Sequence, residues 1–221
     1  MTKAKPKLFA WDFHGTLERG VEIGFWHILK QLAKKWQIKE DFKLEEVRRL
    51  YGVSVFDYLH HFFPKSSHKQ IKAMMVRVAQ VQNQNHLKIY VTAAPGAIEI
   101  LSKIKKAGHK NIVVSNSHPE HIWPLVKLVR MESLIDEIFA VDRHYTDRKI
   151  DVVYEKAKSI KNYAQKHKIE KIIVIGDKPD DIQAGLSIGA ITYQYKRPDF
   201  PPVKTHAHFQ ITDFMELLKE I

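Results

Sequence analysis

The chain has 221 residues, 44% of them apolar and 28% charged, which is enough to bury a core and unlike a disordered chain. No run approaches the roughly 20 apolar residues of a membrane span, and the absence of cysteine excludes disulfide scaffolds, cysteine nucleophiles and thiolate metal sites. A formal charge of +11 favours anionic partners, but the lysines are scattered (Lys34 and Lys35; Lys103, Lys105 and Lys106; Lys156, Lys158, Lys161, Lys166 and Lys168) over helical segments and read as solvated outer faces.

The basic start MTKAKPKLFAWDF has too short an apolar part for a secretory leader, so a cytoplasmic protein is expected. Lys7 to Phe13 is a strand-type apolar run that stops at the polar turn His14-Gly15-Thr16. Over residues 22–85 the spacing becomes helical: IGFWHILKQLAKKW, EEVRRLYG, VFDYLHHFF and IKAMMVRVAQV place apolar residues three and four apart. Beyond Pro95-Gly96, helices alternate with short buried strands. AIEILSKIKKAG, HPEHIWPLVKLV, DVVYEKAKSIKNYAQKH, DIQAGLSIG and DFMELLKEI read as helices; NIVVSN, EIFAVD, KIIVIGD and AITYQY read as strands. This rhythm predicts an α/β fold, a Rossmann-like doubly wound parallel sheet covered on both faces, with an inserted all-helical domain over its carboxyl edge. The expected division is a core of residues 1–18 and 90–221 and a helical cap of residues 19–89. The cap aromatics Phe25, Trp26, Trp36, Phe56, Tyr58, Phe62 and Phe63 are read as the cap's own core.

Function in such a sheet belongs at the carboxyl ends of the strands. Four predicted ends carry polar clusters: Asp12 to Leu17, Ser115-Asn116-Ser117, Asp142 with Lys149 a few residues on, and Gly176 to Asp181. Carboxylates from two strand ends can share a hard cation such as Mg²⁺. A hydroxyl and an ammonium from two others can bind an anion beside it. That combination points to phosphoryl chemistry, in which a carboxylate attacks while cationic groups neutralise the phosphoryl oxygens.

At these residues the sequence resembles the haloacid dehalogenase-like hydrolase superfamily, in particular its phosphoglycolate phosphatase-like branch with a helical cap. The first motif, Asp-x-Asp-Gly-Thr-Leu, stands as Asp12-Phe13-His14-Gly15-Thr16-Leu17; the second ends VVSNS at Ser115; the fourth, Gly-Asp-x-x-x-Asp, is Gly176 to Asp181. Lys149-Ile150-Asp151-Val152 occupies the place of the motif-three lysine without its prolines. The resemblance implies a Mg²⁺-dependent phosphomonoester hydrolase. Asp12 would be nucleophile and metal ligand, with the His14 carbonyl and Asp177 as further ligands and Asp181 holding metal-bound water or Lys149. Ser115 and the Asn116 amide would bind phosphoryl oxygens, and Lys149 would be the motif-three base, with Arg148 and Lys156 near enough to replace it. Asp180 reads as a helix cap. A small phosphorylated substrate is implied; a monomer or homodimer with no membrane partner is expected, with nucleic acid the lesser alternative partner.

His14 departs from the pattern, because phosphatases of this family carry a second Asp there as proton donor and acceptor. Imidazole titrates near neutrality and can do both, although a cationic ring beside Mg²⁺ is disfavoured. Three readings stand: a working phosphatase with His14 as acid/base, an attenuated relative that binds a phosphorylated ligand or partner, and a dehalogenase or phosphonate-cleaving enzyme. The intact carboxylates of the fourth motif weigh against a dehalogenase. The pairs His118/His121, His60/His61 and His206/His208 lack the spacing of known zinc motifs.

Overall fold

A computed structural model describes residues 5–39, 41–83, 86–142 and 150–221. The first strand, β1 (Lys7–Trp11), is apolar on both faces because it lies mid-sheet. Leu8 and Ala10 point into one core cluster, Phe9 and Trp11 into the other. After the two-residue strand β2 (Glu18–Arg19) come four helices: α1 (Val21–Lys35), α2 (Leu44–Arg49), α3 (Val55–Phe62) and α4 (His68–Asn83). A 3₁₀ turn (His86–Ile89) leads to β3 (Thr92–Ala93). Strands β2 and β3 pair antiparallel, so the helical block leaves and rejoins the sheet at one point.

The rest alternates as read: α5 (Ala97–Lys106), β4 (Lys110–Ser115), α6 (Pro119–Leu128), β5 (Glu137–Ala140), α7 (Val152–Lys166), β6 (Lys171–Gly176), α8 (Pro179–Ser187) and β7 (Ile191–Tyr195). A last strand, β8 (Phe209–Ile211), precedes a 3₁₀ helix (Phe214–Glu220). The six-stranded sheet runs β5-β4-β1-β6-β7-β8, all parallel, with Trp11 level with Val113 and Ile175. The chain builds outward from β1 on one side and then on the other. The order therefore reverses at β1, between β4 and β6, and there the carboxyl ends open into a crevice. One core cluster runs without a break from the β1–β4–β6 face into the helical block, joining Trp11 and Phe13 to Ile28, Leu59 and Phe62.

Two features differ from the sequence reading. The closing DFMELLKEI is 3₁₀ rather than α-helix: Phe214 and Leu217, three residues apart, are both fully buried, which suits three residues per turn. Strand β8 carries no apolar run, because Phe209 and Gln210 stand exposed at the sheet edge. No helix among the described residues is long and apolar enough to cross a membrane.

Candidate active site

Beyond β1 the chain turns at once, the amides of Thr16, Leu17 and Glu18 all donating to the Phe13 carbonyl. Gly15 has φ of 88°, and a Cβ there would lie 2.8 Å from Asp177 Oδ2. Both the left-handed backbone and the neighbouring carboxylate call for glycine. Gly176, at the end of β6, is required by space alone, since a Cβ on it would fall 2.4 Å from the Asp181 Cβ. The two glycines thus let three carboxylates converge. Asp12, Asp177 and Asp181, all buried, each place an oxygen within 4.8 Å of the others'.

Lys156 reaches this cluster from α7. Its Nζ lies 2.5 Å from Asp181 Oδ1 and 3.6 Å from Asp12 Oδ1. Thr16 Oγ1 donates to Asp12 Oδ2 at 3.3 Å, and the Lys178 ammonium stands 3.6 Å from Asp177 Oδ2. Burial, then the Asp181 charge, pushes the Asp12 carboxyl well above its ordinary value, with Lys156 opposing the shift. Asp177 is pushed up to about 6, chiefly by burial, with Lys178 pulling it down and Asp181 raising it. Burial alone would lower the Lys156 ammonium, but Asp181 and Asp12 outweigh it and hold it charged. Three carboxylates therefore face two ammonium groups, and Asp177 Oδ1 is buried with no hydrogen-bond partner among the described residues. An all-oxygen cluster with excess negative charge and an orphaned carboxylate oxygen fits a hard divalent cation.

Ser115 ends β4 fully buried, and its Oγ accepts the Ser117 amide at 3.2 Å. Asn116 Oδ1 is buried without a hydrogen-bond partner among the described residues. Both residues line a cavity of about 410 Å³ that also touches Asp12, His14, Lys156 and Asp181. His118, not Ser115, caps α6. On α8 the Lys178 amide donates to Asp181 Oδ2 at 3.2 Å, so the carboxylate that caps this helix belongs to Asp181 rather than Asp180. The predicted base Lys149, and Arg148 beside it, lie outside the described residues.

Lys156 is a correction to the reading of its lysine run as solvated. It falls on the buried face of α7 with Val152, Ala157 and Ile160, while Lys158, Lys161 and Lys166 are exposed. A lysine at the apolar spacing of an amphipathic helix was the available signal. Lys156 nevertheless stands among the residues expected to replace Lys149; Glu18 is the residue that sequence reasoning missed. Fully buried, its Oε1 lies 3.1 Å from His14 Nδ1 and accepts the Gly15 amide at 3.1 Å and the Tyr51 hydroxyl at 3.2 Å. With Nδ1 engaged, Nε2 is the ring nitrogen left for the cavity that His14 lines.

A parallel sheet with an acid–ammonium cluster at its switch point, beside a cavity, is the arrangement of α/β enzymes that work at the ends of their central strands. The chain belongs to the haloacid dehalogenase-like hydrolase family, whose sequence profile matches residues 9–193. It is 21% identical over 182 residues to the glyceraldehyde 3-phosphate phosphatase of Pyrococcus furiosus, covering 80% of this chain and 74% of that protein. A predicted phosphoglycolate phosphatase from Haemophilus somnus superposes with a TM-score of 0.80 at 17% identity, over 100% of this chain and 99% of that one. Protein tyrosine kinase A of Mycobacterium tuberculosis superposes with a TM-score of 0.73 at 16% identity, over 98% of each chain. Likeness at such identity fixes the fold, not the chemistry.

Proposed function

We propose that the protein is a Mg²⁺-dependent phosphomonoester hydrolase acting on a small phosphorylated metabolite through an aspartyl-phosphate on Asp12. The observation that carries this reading is the buried cluster of Asp12, Asp177 and Asp181 with Lys156 Nζ 3.6 Å from Asp12. Asp12, Asp177 and Asp181, with the His14 carbonyl, would hold the cation, which when bound supplies neutralising charge to the phosphoryl oxygens.

The side chains then divide the work. An oxygen of Asp12 forms a bond to phosphorus as the ester P–O bond breaks, and His14 Nε2 gives its proton to the departing alkoxide. In the second step a water oxygen bonds to the same phosphorus, His14 takes the water's proton, and the acyl-phosphate P–O bond breaks to return the carboxylate of Asp12. Glu18, hydrogen-bonded to Nδ1, orients the ring in both steps. Ser115 and the Asn116 amide bind phosphoryl oxygens. Lys156 takes the role expected of Lys149, holding Asp12 and Asp181 in place and countering their charge. The helical block, residues 19–89, acts as the cap that shuts the cavity from water.

Turnover of p-nitrophenyl phosphate with Mg²⁺, its loss with EDTA and its loss in Asp12→Asn are the expected results. Hydrolysis that persists in Asp12→Asn, or that no divalent cation supports, contradicts the proposal. Ligand binding without turnover in any phosphomonoester would instead mark an attenuated relative.

A further inference from the structure

The cavity lining is mixed, with more apolar than polar surface. Asp12, Ser115, Asn116 and Lys156 form its floor at the strand ends. The helical block contributes Val21, Phe25, Val53, Val55, Tyr58 and Leu87, together with Tyr51 and Lys88. Phe25 and Tyr58 meet edge to face with ring centroids 4.7 Å apart, so two aromatics expected to pack only inside the helical block also form the cavity wall. From α6, Pro124 and Leu125 extend the apolar wall. At about 410 Å³ the space falls among pockets that enclose drug-sized ligands, roughly 300–1,000 Å³.

The charges at the wall matter as much as its surface. A substrate with a carboxylate beyond its phosphate needs a cation there, and no arginine lines the cavity among the described residues. Lys156 is engaged by Asp12 and Asp181, Lys178 stands beside Asp177, and Lys88 is exposed at the margin. The Glu120 carboxylate, exposed like Lys88, also lines the cavity and offsets that ammonium. Burial and the neighbouring His118 lower the His121 imidazole from its usual value, so His121 adds no positive charge at neutral pH.

Resting on the hydrolase reading, we infer that the substrate is a phosphomonoester whose alcohol carries an uncharged apolar body, seated against Phe25, Val53, Val55 and Leu87, rather than a two- or three-carbon acid or polyol phosphate. Apolar walls discriminate by roughly 10- to 200-fold per methylene-sized group. An apolar group filling this wall, such as a phenyl ring, should therefore dominate selectivity.

The test compares 2-phenylethyl phosphate with 2-phosphoglycolate and glycerol 3-phosphate, all of which leave as alkyl alkoxides, so that leaving-group chemistry does not decide the ranking. The wild-type protein with Mg²⁺ is expected to show kcat/KM at least tenfold higher for the aromatic ester. Phe25→Ala and Val53→Lys should each shrink that ratio about tenfold or more. Calorimetry on Asp12→Asn supplies a binding readout that needs no turnover, and there 2-phenylethyl phosphate should bind at least tenfold tighter than 2-phosphoglycolate. Equal or reversed ranking in binding, or a ratio untouched by both wall variants, overturns the inference. If p-nitrophenyl phosphate is not hydrolysed either, the hydrolase reading fails, and the binding ranking alone decides the wall's preference.

Discussion

His14 and Glu18 lie four residues apart across the turn after β1, and their contact sets the direction in which the imidazole can exchange a proton. If Nε2 moves the proton, His14→Ala should lower turnover by about 10²- to 10⁴-fold, the usual yield of general acid–base catalysis. Metal affinity should change little, because the proposed ligand at this position is a backbone carbonyl. His14→Asp should keep or raise activity, and Glu18→Gln should lower kcat more than it changes KM, as expected of a group that orients rather than binds. Steady-state kinetics on the three variants check this; unchanged turnover in His14→Ala removes the imidazole from the mechanism. Asp177 carries a pH consequence. Its carboxyl is raised from 3.8 to about 6, so the neutral form is the one the fold favours. The stability it contributes is fully present below about pH 4 and is lost as pH rises through about 6. A cation that needs the ionised carboxylate should restore stability over the same range. At a hundredfold excess over Kd, Mg²⁺ should add about 2.7 kcal/mol, roughly 5–10 °C in Tm for a chain of this size, at pH 7.5 and much less at pH 5. Thermal melts should show Asp177→Asn more stable without metal and unresponsive to it.

The elements explain which of these residues were legible beforehand. Asp12, Ser115 and Asp177 sit where an apolar strand gives way to a polar turn, a boundary visible in a few consecutive residues. The parallel sheet and its helices followed from the same alternation. Lys156 was harder, because its meaning depends on which face of α7 turns inward. Glu18 was hidden because only the fold brings Tyr51 and the Gly15 amide to it. The short pairings of β2 with β3 and the edge strand β8 carry no apolar run to announce them. Least legible of all is the joint between helical block and sheet. Arg197, just beyond β7, lies 2.9 Å from Glu22 Oε1 on α1, 175 residues away, with both side chains buried. The Phe200 ring stacks on its guanidinium at 3.8 Å, and Arg48 of α2 joins Asp199 at 3.0 Å. Removing Arg197 leaves the buried Glu22 carboxylate only Arg48 as a cationic partner among the described residues, at 3.7 Å, so Arg197→Ala should cost up to roughly 3–5 kcal/mol, or about 6–20 °C in Tm. A loss below about 1 kcal/mol would mean that water already screens this joint.

For the molecule as a whole, the sheet supplies the carboxylate cluster of the cavity and the helical block supplies much of its apolar lining, with one continuous core holding them together. The +11 charge has little part in that site: Lys103, Lys105, Lys106, Lys158, Lys161 and Lys166 are exposed on the outer faces of α5 and α7. Covalent chemistry at Asp12 is what the whole arrangement would serve. The most direct measurement is a rapid quench of the working protein with borohydride, which reduces an acyl phosphate to an alcohol, followed by peptide mass spectrometry. The account predicts Asp12 converted to homoserine only when Mg²⁺ and a phosphomonoester are both present, with more of it in His14→Ala. Full turnover with Asp12 unmodified, or reduction at another carboxylate, would contradict it.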